Sequence, residues 1–236
     1  MPEEINRILT DKITDYYFVT EQSGIDNLIK EEVQKDKIFF VGNTMIDSLV
    51  EFTPYIKESD ILEKFKIEPK KYALMTMHRP SNVDTQLGLG ILVDIIKNIV
   101  SKIDLVFPIH PRTIERLKQF NLWNDISNIK GLVFSEPLDY FSFQKLILES
   151  KFVITDSGGI QEETTYLQIP CLTLRDNTER PSTVELGSNT LVSYSVEAVS
   201  RHIEKIMNNQ YKDGVVPPLW DGKSTERILE ILSKTI

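Results

Sequence analysis

Five loops hold most of the residues able to do chemistry: HRPSNVD after Met77, PRT after His110, SEPLDYFSF after Phe134, DSGGIQEE after Thr155 and RDNTERP after Leu174. In TDSGGIQEE, Ser157, Gly158 and Gly159 stand between an apolar run and a segment of helical period. Glycine has no Cβ, so phosphates could approach the main chain there. The free N–H groups of a helix start, at the positive end of its dipole, favour an anion. A diphosphate fits that description. Glu163, about one and a half helical turns further on, could accept hydrogen bonds from a ribose diol. The plain alternative is a glycine-softened helix start with solvated glutamates.

His78 directly follows the run YALMTM, and His110 ends LVFPIH. A histidine at the carboxyl end of a strand can act as general acid or base, or donate to a phosphate, because its ordinary pKa lies near neutrality. It can equally cap a loop through its backbone neighbours. His202 lies in a polar helical stretch and reads as a surface residue. Arg180 in RDNTERP could offer a bidentate donor to phosphate, while Arg175 could pair with Asp176 or Glu179 and stiffen the loop. A surface ion-pair cluster is the mundane reading. Phe143 or Tyr140 could stack on a base, or simply fill core space.

These loops need a scaffold that brings them to one edge. Short apolar runs recur along the chain: YYFVT, IFFVGN, YALMTM, LVFPIH, GLVF, FVIT, CLTL and TLV. Segments of helical period separate them, among them Leu87 to Val100, Asp139 to Ser150 and Gly158 to Gln168. Nearly continuous apolar runs belong to strands covered on both faces, and strict βα alternation predicts a doubly wound parallel α/β sheet. In such sheets ligands sit beyond the carboxyl ends of the strands. The stretch Lys57 to Lys71 reads as a charged helix and loop at a domain edge. The tail from Asp221 carries Ile228, Leu229, Ile231 and Leu232 at helical spacing.

Composition narrows the partners. Among 236 residues, 27 Lys plus Arg face 35 Asp plus Glu, a net charge of −8, and no basic stripe suits a nucleic-acid backbone. No apolar run approaches the roughly 20 residues of a membrane span, and the start is polar and acidic rather than signal-like. One cysteine, Cys171, forms no internal disulfide, and no Cys/His cluster has metal-ligand spacing. The expectation is a cytoplasmic protein without metal or cofactor.

Read together, MPEEINR, GNTMID, HRPSNVD, HPRT, EPLDYFSF, TDSGGIQEE and LTLRDNTERP closely resemble the non-hydrolysing UDP-N-acetylglucosamine 2-epimerase family, over nearly the whole chain. TDSGGIQEE and RDNTERP at this separation carry the resemblance. It implies a GT-B architecture of two Rossmann-like domains and the conversion of UDP-GlcNAc to UDP-ManNAc, with no metal and no nicotinamide. The C2 proton is removed, UDP leaves to give a 2-acetamidoglucal, and UDP returns with C2 inverted. The resemblance implies that Ser157, Gly158 and Gly159 cradle the diphosphate, Glu163 holds the ribose, Arg180 binds phosphate and Phe143 lines the base pocket. By the same resemblance His78 is essential for activity at the departing phosphate, and Glu3 takes part in proton chemistry.

It also implies residues 1–40 as part of a first Rossmann-like domain, 41–220 as the UDP-binding domain, and 221–236 as a helix crossing back to the first. The family's chains extend further at the amino end, with a basic nucleotide loop and two more catalytic carboxylates, so activity is expected to depend on that half. Without it, YYFVT is expected to be an unpaired edge and the tail's apolar stripe uncovered. Partners are expected to be a UDP-sugar and either a second copy in a homodimer or an amino-terminal half. Ser81 stands where many bacterial relatives have Glu at a regulatory site, and Leu138 and Ser182 replace a frequent Gln and Glu. These departures leave room for a related UDP-2-acetamido sugar. A non-catalytic UDP-sugar-binding subunit and a GT-B glycosyltransferase are the competing functions, and RDNTERP speaks against the second.

Overall fold

The computed structural model describes residues 2–235, with side chains over residues 5–234. The chain opens with α1 (Pro2–Lys12), β1 (Tyr17–Val19), α2 (Gln22–Lys30), β2 (Ile38–Phe40) and α3 (Thr44–Glu58). It continues through α4 (Ile61–Phe65), β3 (Tyr72–Thr76), α5 (Pro80–Val83), α6 (Gln86–Val100), β4 (Asp104–Pro108), α7 (Pro111–Gln119) and α8 (Trp123–Ile126). There follow β5 (Leu132–Ser135), α9 (Tyr140–Glu149), β6 (Phe152–Thr155), α10 (Gly158–Tyr166), β7 (Cys171–Thr173) and α11 (Pro181–Glu185). The chain ends with β8 (Asn189–Leu191), α12 (Val196–Met207) and α13 (Ser224–Thr235). Contacts divide it into two units, one running through Val50 and resuming at Pro218, the other Glu51–Pro217.

The larger unit is a six-stranded, all-parallel sheet in the order β5-β4-β3-β6-β7-β8. The chain winds outward from β3 through β4 to β5, then returns to lay β6 on the other side of β3. The switch point therefore lies between β3 and β6, whose register sets Thr76 against Thr155. Side chains of successive strand residues point to opposite faces, and both faces are buried. Ala73, Met75, Leu105, Phe107, Phe152 and Ile154 pack in one core cluster with α6 and α12. Tyr72, Leu74, Val106 and Val153 pack in the other, with Leu146 and Ile147 of α9 and Ile160 of α10. Both faces being covered explains why these strands read as unbroken apolar runs.

The smaller unit holds the two-stranded parallel sheet β1-β2, in which Tyr17 pairs with Ile38 and Val19 with Phe40. YYFVT is thus a paired strand, a correction to its expected lack of a partner: IFF, read as a separate strand, lies beside it. The tail is helical, with Ile228, Ile231 and Leu232 half-buried and Leu229 61% exposed, so its stripe is covered on one side only. Asp47 of α3 accepts from the Ser224 and Thr225 amides at 3.0 and 2.6 Å, capping the start of α13. Burial pushes the Asp47 carboxyl up, but the Thr225 and Ser224 hydrogen bonds outweigh it and hold the group below its ordinary value. Gly42, at φ +92°, passes so close to the Leu219 carbonyl oxygen that a Cβ would lie 2.1 Å from it, which no other residue could satisfy. Trp220 closes this unit, its Nε1 donating to the Thr20 carbonyl at 3.0 Å. No helix among the described residues is long and apolar enough to cross a membrane.

Candidate functional site

At the carboxyl edge of the larger sheet, α10 follows β6 after only Asp156 and Ser157. Four other helices, α6, α7, α9 and α12, are capped by the side chain of the residue just before them, Thr85, His110, Asp139 or Ser195. Ser157 makes no such cap on α10; its own amide donates to Thr155 Oγ1 at 3.0 Å. The N–H groups at Gly158 and Gly159 therefore keep their capacity for an anion. Helix α10 is polar yet buried, with Gln161, Glu162, Glu163, Thr164 and Thr165 at most 7% exposed. The solvated-glutamate alternative is thereby overturned: both glutamates point into the protein.

RDNTERP is fastened to that helix. Thr178 Oγ1 donates to Gln161 Oε1 at 2.7 Å and accepts from the Arg180 amide at 3.1 Å. This sets the Arg180 guanidinium over the helix start, where a Cβ on Gly158 would come within 3.2 Å of its Nη1. Buried Glu162 holds the guanidinium from behind, Oε2 to Nε 2.9 Å. Arg175 takes the stiffening role, its Nη2 2.8 Å from Glu179 Oε1. That hydrogen bond, working against burial, draws Glu179 down to about 2.

Glu163 is shifted the other way from Glu179. Burial raises it, the Gln144 hydrogen bond offsets part of this, and the neighbouring Glu162 charge adds to it, leaving the group at about 7. It is half-ionised near neutrality. A ligand offering two hydroxyl donors would favour its charged form.

On the other side of the switch point the HRP turn folds onto Asp156, which is fully buried. The Asp156 carboxylate accepts from the His78 amide at 3.1 Å, the Arg79 amide at 2.9 Å and Asn82 Nδ2 at 3.1 Å. It also lies 2.9 Å from His78 Nδ1, while the His78 side chain remains 52% exposed. The Asp156 hydrogen bond raises His78 above its ordinary value against a smaller burial effect. Burial pushes Asp156 up, yet His78, the Arg79 amide and Asn82 together hold it below the usual carboxylate range. His78 also lines a cavity of about 220 Å³, shared with His110, Pro137, Leu138 and Phe143.

Of the residues singled out in the sequence, Ser157, Gly158, Gly159 and Arg180 thus converge on one helix start. His78 and Phe143 share the adjoining cavity, and Glu163 lies along α10. Tyr140 instead meets the rings of Phe52 and Phe141 at 6.3 and 5.9 Å and is 40% exposed. His110 is a capping histidine, its Nδ1 accepting from the Arg112 amide at 3.2 Å. His202 is half-buried on α12, and that burial lowers it. Glu3 falls on α1, but its side chain lies outside the described residues. Asp156, Asn82, Glu162 and Gln144 went unread as site residues. The one signal for Asp156 was an acid placed immediately after the strand run FVIT. Among the described residues no group of three or more His, Cys, Asp or Glu side chains could hold a metal ion.

The family described as UDP-N-acetylglucosamine 2-epimerase matches residues 1–233. The UDP-N-acetylglucosamine 2-epimerase of Methanocaldococcus jannaschii is 40% identical over 238 residues, covering 99% of this chain and 64% of the relative. A crystal structure of the M. jannaschii UDP-GlcNAc 2-epimerase in complex with UDP-GlcNAc and UDP superposes with a TM-score of 0.86 at 40% identity, over 99% of this chain and 65% of that one. The Neisseria meningitidis UDP-GlcNAc 2-epimerase bound to UDP-GlcNAc gives 0.84 at 28% identity, over 99% and 65%. The chain spans 64% of the length of its M. jannaschii relative. The larger unit has the doubly wound parallel sheet that the apolar runs predict, and it is the Rossmann-like carboxy-terminal domain of a GT-B fold, as the family resemblance implies.

Proposed function

The chain belongs to the UDP-N-acetylglucosamine 2-epimerase family, and we propose that it binds the UDP part of a UDP-sugar and serves the interconversion of UDP-GlcNAc and UDP-ManNAc. The observation that carries this reading is the Arg180 guanidinium over the Gly158 start of α10. An anion lodged there would meet main-chain amides and a guanidinium together, an arrangement made for a diphosphate. Ser157, Gly158 and Gly159 cradle the diphosphate in this reading, Glu163 takes the ribose hydroxyls, and Phe143 walls the uracil.

The chemistry in this reading is the one that the family resemblance implies. A base removes the C2 proton, the C–H electron pair becomes the C1=C2 bond, and the C1–O bond breaks toward the UDP phosphate. His78 then faces the charge that develops on the leaving oxygen, where a positively charged donor lowers the barrier. Readdition of UDP after proton return to the opposite face gives the epimer. Because UDP must stay bound while the glucal reprotonates, the grip on the nucleotide is itself part of catalysis.

Calorimetric titration with UDP tests the binding part. Arg180→Ala and Glu163→Ala should each weaken UDP by about 1.5 to 3 kcal/mol, roughly 10- to 150-fold, through loss of a charge-assisted hydrogen bond. Affinity like wild type in both would remove those residues from the site. Incubation with UDP-GlcNAc in heavy water then tests the reaction. Deuterium at C2 supports epimerisation, and UDP binding without label would restrict this chain to the binding role.

A further inference from the structure

We propose that Asp156, buried beneath the turn after β3, is the positioning residue that fixes His78, holding its Nδ1 and its backbone so that Nε2–H is the group offered to the UDP phosphate. The inference rests on the UDP reading for the identity of the anion, but its structural core stands without it. Asp156 has no exposed surface, and among the described residues His78 is the one cationic side chain within ion-pair distance of it. Its carboxylate is spent on one short segment, meeting two successive backbone amides, the Asn82 amide and the His78 ring. Arg79 Nε closes the arrangement by donating to the Asp156 carbonyl at 3.0 Å. Three hydrogen bonds to the backbone and Asn82 would suffice to satisfy the carboxylate. The fourth contact, at 2.9 Å to Nδ1, does something else: it selects the ring orientation.

A ring anchored at Nδ1 has its Nε2 on the opposite side, and the side chain is half-exposed at the rim of the cavity shared with Phe143. With Nδ1–H committed to a carboxylate, Nε2 is bare in the neutral tautomer and carries a proton only in the cation. His78 therefore donates at Nε2 only as the imidazolium, the form that the Asp156 carboxylate at Nδ1 keeps over a wider pH range than in a free histidine. Other groups near the ring are Arg79 on its own turn and His110 across the cavity. Arg79 opposes the charge. Tyr194, whose hydroxyl donates to the Gly88 carbonyl at 2.9 Å, senses the Asp156 charge from the far side. Among the described residues, Asp156 is the group that keeps the imidazolium. A neighbouring anion such as a diphosphate adds to its effect, so binding and protonation support each other.

The test is Asp156→Asn, read by NMR titration of the histidine ring nitrogens and by UDP titration across pH. In wild type, His78 should carry a hydrogen-bonded Nδ1–H and titrate above the ordinary histidine value. In the variant its midpoint should fall. UDP affinity at pH 7.5 should drop by about tenfold, the order of one charge-assisted bond, and the gap should narrow at pH 5.5, where His78 is charged in both proteins. A merely structural aspartate would lower affinity equally at both pH values. His78→Gln supplies the coupling test: adding Asp156→Asn to it should cost UDP affinity less than about twofold more, whereas independent, additive losses would overturn the proposal. If Asp156→Asn does not fold, wild type alone decides, because a bare Nδ1 with no bonded proton at pH 7 also overturns it. A wild-type protein that ignores UDP would sink the nucleotide reading and leave the Nδ1 measurement to judge Asp156 by itself.

Discussion

His78 and His110 leave adjacent parallel strands at the same edge of one sheet, and both side chains are exposed, yet they are held in opposite ways. His78 ends β3, the strand at the switch point, so what lies beside it is the end of β6 with its buried Asp156. His110 ends β4, flanked by β3 and β5, and its Nδ1 turns back to accept the Arg112 amide at the start of α7. An Nδ1 that accepts must be bare of a proton, while one set against a carboxylate must carry it. Residue type and strand position are the same for the two. The neighbouring strand decides which is a charged donor and which a helix cap.

The widest separation should come from binding. His78→Ala should weaken UDP by about 1.5 to 3 kcal/mol, since it removes a charged donor and leaves Asp156 buried with one partner fewer. His110→Asn, which keeps a capping oxygen, should leave UDP affinity within about twofold. Equal losses in the two variants would erase the distinction.

Stability should separate them next. Cap removal in His110→Ala should cost about 0.5 to 2 kcal/mol in denaturant unfolding, with His110→Asn recovering most of it. The pH dependence sharpens the contrast further. His78 is raised above its ordinary value of 6.5, so its contribution is complete below 6.5 and is lost as pH rises through its folded value. Asp156 is lowered below 3.8, so its contribution is complete above 3.8 and is lost as pH falls through its folded value. The stability difference between wild type and His78→Gln should thus be largest between those limits and shrink in alkaline solution. A difference that grows with pH would contradict the His78–Asp156 assignment.

Much of this was legible from the residues alone. All eight strands follow from apolar runs, because a strand buried on both faces needs an unbroken one and little else in the chain supplies it. The short helices α5, α8 and α11 were not legible, since four or five residues show no period. Gly158, Gly159, Arg180 and His78 could be picked out because loops at the carboxyl edge are where ligands sit, whatever the strand order. Asp156 and Glu162 could not, because each matters through a partner distant in sequence. Glu162 and Glu163 look alike on the page. Only the packed helix shows one clasping Arg180 at 2.9 Å and the other left at about 7 without a cation.

The seam between β3 and β6 has one more effect, on how the chain reaches its native state. His78 and Asp156 are 78 residues apart, and the excursion between them contains β4, β5 and the helices that cover them. Contacts across so long a loop are entropically expensive until local structure has shortened it. The turn after β3 is therefore expected to close onto Asp156 only after the flanking strands have docked.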